Sequence, residues 1–227
     1  MKTKEEILNY LQMQSNPTRI KVNERNGNSL PQYGVPMTVL RKLAIEIGKD
    51  HQLAISLWNE NNLDAKMLAV MIMDSNEMNQ EEIEKIANEI NFCYLMDEYV
   101  DYVVFQREDY DIYKNEWIQS TQDILGRGGW YLVVKSLLKI NVDDQTIENY
   151  LTIISKELQN ATPKKQETMN RALCEIGINY PKYTDECLNI GEKLGVYKEM
   201  KVAKGCTSPY AINWIQVGLK KKEKIKK

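Results

Sequence analysis

Two aspartates four residues apart, Asp97 and Asp101, stand in the stretch NFCYLMDEYVDYVVF (91–105) among Tyr94, Tyr99, Tyr102 and Phe105. A carboxylate set among rings can stabilise developing positive charge, and the π faces of the rings attract a cationic group. Stepped at about 100° per residue, Phe92, Leu95, Met96, Tyr99 and Val103 gather on one side, the core face. Tyr94, Asp97, Asp101 and Phe105 gather on the other. Two readings fit: a carboxylate lining a groove with rings that stack on a base, or a solvated acidic face whose rings pack on a neighbouring helix. Residues 97–111 hold six acids and one arginine, Arg107, so the second reading stays open on spacing alone.

The cations offer a different chemistry. GRGGW (126–130) lacks the Lys-Ser/Thr and the preceding strand of a P-loop. Its glycines are read as ending one helix and starting the next, which puts Arg127 in a first turn, where backbone N–H groups also favour phosphate. The alternative for Arg127 is an ion pair with Asp123. Lys164 and Lys165 follow Thr162-Pro163, a second helix start that would combine ammonium groups with the positive end of a helix dipole. Metal chemistry has little to work with: there is one histidine, His51, and the cysteines at 93, 174, 187 and 206 form no C-x-x-C. No metal or cofactor is expected. His51 is read as exposed, Cys206 as structural, and Trp58, Trp117 and Trp214 as packing residues.

The elements that must position these residues all carry helical period. Leu40, Leu43, Ala44 and Ile47 fall at i, i+3, i+4, i+7, as do Ile147, Tyr150, Leu151 and Ile154. Thr3-x-x-Glu6 reads as a capping box, Asn79 precedes an acidic first turn, and Thr162-Pro163 and Ser208-Pro209 mark starts. The pattern predicts helices near 3–14, 36–48, 50–60, 63–74, 79–89, 91–106, 108–125, 127–140, 144–159, 163–179, 181–194 and 209–221, with a polar linker at 16–34. Residues 63–74 are apolar nearly all round after Asp64 and Lys66, so that helix needs neighbours on several sides. Short helices in series suggest a stacked solenoid, read as one α-helical repeat domain over 1–227 with a frayed basic end at 219–227.

Composition bounds the rest. The chain has 227 residues and a formal charge of −2; its end KKKEKIKK (220–227) is net +5, which leaves −7 on the remainder. The longest apolar run, MLAVMIM (67–73), is far short of a membrane span. No secretory h-region follows the first lysines, so a cytoplasmic, monomeric protein with reduced thiols and no membrane contact is expected. The basic end could attract nucleic acid or simply be solvated.

Several blocks, taken in order, resemble the AlkD-like DNA alkylation repair family. YGVPMTVLRKLAIEIGKD (33–50) resembles its G-V-P and L-R-x-x-A signature, and HQLAISLWNENNLDAKMLAVMIMD (51–74) its L-A-x-x-L-W and E-A-R-x-L-A helices. EWIQSTQDILGRGGW (116–130) resembles the W-x-x-S…R segment, MNRALCEIG (169–177) the I-N-W-A-L-R-x-I-G motif, and GCTSPYAINWI (205–215) a C-x-x-P-x-A ending. The resemblance implies an all-α fold, a right-handed superhelical solenoid of HEAT-like antiparallel helix pairs, with duplex DNA as partner in a concave groove. It implies N-glycosidic cleavage of cationic alkylpurines in active members, where one carboxylate stabilises an oxocarbenium-like sugar. Asp97 matches the catalytic aspartate of the family's W-x-x-x-D motif, but Cys93 stands where that tryptophan does, with Tyr94 beside it. Arg171 occupies the second tryptophan's position, and Arg127 matches a phosphate-contacting arginine. The DNA contacts expected are Arg127, Lys135, Lys164, Lys165, Arg171 and the ring of Tyr94. Three functions remain open at this point: an alkylpurine DNA glycosylase, a DNA-binding relative without that activity that prefers bent or branched DNA, and a helical-repeat scaffold for a protein partner.

Overall fold

The computed structural model describes residues 3–139 and 141–225, and these contain thirteen α-helices and no β-strand. The chain divides into two compact units, Met1–Tyr113 and Lys114–Lys227. The first holds α1 (Lys4–Met13), α2 (Pro17–Arg25), α3 (Met37–Ile47), α4 (His51–Trp58), α5 (Leu63–Ile72), α6 (Gln80–Glu89) and α7 (Cys93–Tyr102). α8 (Tyr110–Trp117) carries the chain into the second, which holds α9 (Asp123–Lys139), α10 (Asp144–Glu157), α11 (Pro163–Asn179), α12 (Thr184–Leu194) and α13 (Ala211–Ile225). No helix among the described residues is long and apolar enough to cross a membrane.

In the first unit α5 is the hub, packed against α3, α4 and α7. All its residues are buried except Lys66, as its nearly uniform apolar surface requires. Lys66 escapes by laying its ammonium over the Trp58 ring, 4.2 Å from the centroid. Asp64 is 2% exposed, and its carboxylate accepts from the backbone N–H groups of Tyr33 (2.6 Å), Gly34 (3.1 Å) and Val35 (2.8 Å). Burial pushes that carboxyl upward while the three donors pull it down. The loop it grips needs glycine: Gly34 has φ +74°, and a Cβ there would lie 2.6 Å from the Asn16 carbonyl oxygen.

Local start signals work as read at Thr3 and Asn79, where both reciprocal bonds of a capping box form with Glu6 and Glu82. The 16–34 segment is not all linker. Asn16 caps α2 through the Arg19 N–H, and Pro17 opens the helix. Asn23 is its one buried residue, so the apolar period that marks other helices is missing there.

In the second unit, α9 and α11 run closely together, with α10, α12 and α13 packed around α11. Trp130, Val133, Val134 and Leu137 of α9 meet Ile147, Leu151 and Ile154 of α10 and Met169, Leu173 and Ile176 of α11 in one core. GRGGW does not separate two helices. It lies inside α9, and the preceding break falls at 118–122. The glycines serve packing instead: a Cβ on Gly129 would collide with the Ile118 nitrogen, and one on Gly126 would lie 2.7 Å from Lys165 Cδ. At the other end α13 continues to Ile225, beyond the limit of 221 read from the sequence, and Lys222 donates to the Ile178 carbonyl. Lys226 and Lys227 lie outside the described residues.

Candidate nucleic-acid interface

The expected core face of α7 is buried: Phe92, Leu95, Met96, Tyr99 and Val103 are all at or below 1% exposure. Tyr94, Asp97 and Asp101 are half-buried on the other side, as their spacing implied. Phe105 is not with them, because α7 stops at Tyr102; it sits in a short 3-10 turn, edge-on to Tyr110. Tyr94 leans on Phe92, with centroids 5.3 Å apart at 76°. Cys93, at the position of the family's tryptophan, is 2% exposed and faces the Asn26 carbonyl at 4.0 Å.

The helical wheel missed Glu98. It is 8% exposed and paired with Arg41 at 2.9 Å. Burial raises its carboxyl, Arg41 opposes that rise, and the charges of Asp101 and Asp97 add to it. Asp97 therefore belongs to a small acidic group whose buried member is held by Arg41. The signal was present in the sequence as the Arg41 of the L-R-x-x-A motif, but nothing local connects residue 41 to residue 98.

In the second unit the cations part company. Arg127 is the fifth residue of α9, past the first turn, and is 8% exposed. Its guanidinium pairs with Glu167 at 2.8 Å rather than with Asp123. Glu167 also takes the Lys164 ammonium at 2.8 Å. Lys165 is 7% exposed and donates to the Ser120 carbonyl at 3.1 Å. Asp123 is engaged elsewhere, since one of its oxygens accepts from the Lys164 and Lys165 N–H groups at 2.7 and 3.0 Å. It thus caps α11 in place of Thr162, whose side chain makes no capping bond. A carboxylate occupies the helix end where a phosphate was expected.

Two expected contacts lie otherwise. Arg171 has 43% of its side chain exposed and a long pairing with Glu175, at 3.8 Å. Its guanidinium stands 5.7 Å from the centroid of Tyr131, and the Lys135 ammonium stands 5.9 Å from the same ring. Tyr131, half-buried, was not singled out in the sequence; the i, i+4 spacing to Lys135 was its only local trace. Two cations around one ring are able to hold phosphates while the ring meets a base or sugar.

Other placements agree with expectation only in part. Trp58 and Trp117 are buried, but Trp214 is 36% exposed. Cys206 is exposed, and no cysteine among the described residues is in a disulfide. His51 is half-buried, with its Nδ1 shielded and unbonded.

An uncharacterized protein of Listeria monocytogenes is 25% identical over 222 residues, covering 95% of this chain and 97% of the relative. One from Listeria innocua is 24% identical with the same coverage. A solved structure, described as a new family of proteins related to the HEAT-like repeat DNA glycosylases with affinity for branched DNA structures, superposes with a TM-score of 0.83. It covers 98% of this chain and 95% of that one at 18% identity, which identifies the fold as HEAT-like helix pairs. The model of the DNA alkylation repair enzyme family matches residues 7–215. The chain accordingly belongs to the DNA alkylation repair enzyme family.

Proposed function

We propose that this protein is a DNA-binding member of its family that grips duplex or branched DNA without regard to sequence and excises alkylpurines poorly. The observation that carries the reading is the Lys135–Tyr131–Arg171 cluster, two cations within 6 Å of one partly exposed ring. Phosphate contacts from such groups carry no sequence information and weaken steeply with salt. The affinity for branched DNA ascribed to the structural relative points the same way. Arg127 and Lys164 pair with Glu167, and Lys165 donates to the Ser120 carbonyl, so these three brace α9 and the segment before it against α11.

Poor excision follows from the surroundings of Asp97. A buried thiol at position 93 presents no π face, and stacking or cation–π attraction of about 1–3 kcal/mol per ring is forgone. Asp97 stays the residue to test for whatever excision occurs. It is half-buried off the core face, with Tyr94 one turn before it.

The decisive measurement is binding to duplex and four-way-junction DNA across a salt series. Arg171→Ala and Lys135→Ala should each lower the log–log salt slope by about one unit. Unchanged slopes in both variants would move the reading to a protein scaffold. In parallel, single-turnover release of 7-methylguanine should be slow, and rapid release that disappears in Asp97→Asn would restore the glycosylase.

A further inference from the structure

A pocket of about 290 Å³ lies wholly within the second unit, walled by α9, α11, the segment between α12 and α13 and the start of α13. Arg127, Asn170, Arg171, Tyr197, Met200 and Trp214 are among its lining residues. Its size suits one aromatic ring system rather than a helix or a duplex, since sites for drug-sized ligands begin at about 300 Å³.

Three features give the pocket a chemistry. Trp214 puts an indole in the wall that remains 36% exposed, an expensive placement for the largest apolar side chain unless something covers it. Asn170 is 4% exposed; its Nδ2 donates to the Pro209 carbonyl at 2.8 Å, and its Oδ1 has no hydrogen-bond partner. Because the Pro209 carbonyl requires a donor, the amide orientation is fixed and the orphan group is an acceptor. Tyr197 is held at φ +63°, a left-handed conformation that non-glycine residues adopt rarely and that recurs at ligand clamps. Burial pushes its phenol up to about 12, so it stays a neutral hydroxyl.

We propose that this pocket receives a single neutral heteroaromatic ring bearing an N–H donor, namely a nucleobase, with its phosphate outside at Arg171. Trp214 stacks on the ring, and Asn170 Oδ1 accepts from its amino or imino N–H. The arginines argue against a cationic guest such as a methylated amine, because the lining carboxylate, Glu167, already answers Arg127 and Lys164. Met200, unbranched and more than half exposed, lets the mouth adjust to an entering ring. The ring has two sources, an unpaired base in DNA or a free nucleotide. The first rests on the DNA-binding reading proposed for this protein, and the second does not.

The experiment compares three duplexes, one fully paired, one with a single unpaired adenosine and one with an abasic residue at that position, and titrates free AMP separately. Wild type should bind the adenosine bulge about 10-fold more tightly than the abasic bulge, a stacking-sized preference. Trp214→Leu should shrink the preference to within about twofold, and Trp214→Phe should recover part of it. Thermal melts establish that both variants are folded. If no duplex is bound but AMP binds in a Trp214-dependent way, the DNA reading falls and the pocket stands as a free-nucleotide site. If wild type binds DNA but treats both bulges alike and ignores AMP, the pocket proposal is overturned and the DNA reading is untouched.

Discussion

On α7, Asp97 neighbours a buried glutamate and follows a buried thiol, whereas on α9 and α11 the expected DNA contacts divide into cations bonded to a carboxylate or carbonyl and cations set beside an aromatic ring. The two regions contain the same kinds of family motif residue. In the first unit the motif arginine, Arg41, is consumed by Glu98, and the motif acid, Asp64, by the backbone of 33–35. In the second, Arg127 and Lys165 are held internally while Arg171 and Lys135 share the Tyr131 ring. A match to a motif therefore places a residue in the fold. What the residue touches afterwards depends on partners far away along the chain.

The comparison can be pressed hardest at Asp64. Replacing it by alanine strands three backbone N–H groups, two of them in buried residues, each costing about 1–3 kcal/mol. Asp64→Ala should therefore lose about 3 kcal/mol or more in urea unfolding, and a loss under about 1 kcal/mol would mean that water replaces the carboxylate. Asp123→Ala should come next, at about 1–2 kcal/mol, the range for removing a capping side chain. If it instead leaves stability unchanged and strengthens DNA binding, the end of α11 is open to phosphate after all.

The smallest effect concerns acid. Arg107 donates to both oxygens of Asp109, at 2.7 and 2.8 Å, and to the carbonyls of Ser75 and Met78. The bond from Arg107 holds the Asp109 carboxyl below its ordinary value. A depressed carboxyl contributes stability above the ordinary carboxylate pKa near about 4, and that contribution is lost as pH falls through the lower folded value. Asp109 is more than a third exposed, so solvent screening reduces the effect to about 0.5 kcal/mol. Asp109→Asn should flatten this part of the acid limb without altering DNA binding at neutral pH, as chemical denaturation between about pH 2 and 5 would show.

Much of the fold was legible because its determinants are local. The capping boxes at Thr3 and Asn79 are complete within a single turn each, and the burial of α5 was written in its run of apolar side chains. α2 escaped because Asn16-Pro17, a start signal of the same kind as Thr162-Pro163, is followed by almost no apolar period. GRGGW misled because glycine ends helices in isolation, yet here it lets α9 approach Trp117, Ile118 and Lys165. In the candidate site, the half-buried setting of Tyr94 and Asp97 could be read from the wheel. The commitments of Arg127, Lys165 and Asp123 could not, since each depends on a partner 40 to 45 residues distant.

The bond from Asp123 to α11 also bears on the order in which the second unit forms. A capping box such as Thr3–Glu6 closes within its own turn and can assist its helix from the earliest moments of folding. The cap of α11 lies 41 residues back in the chain, so closing it carries the entropy of a long loop. Until α9 is docked, the first turn of α11 lacks that acceptor and must be satisfied by water. The two longest helices among the described residues are therefore coupled in time as well as in space. The Lys164 and Lys165 amides become slow to exchange only when α9 arrives, whereas the Glu6 amide can report on its own helix alone.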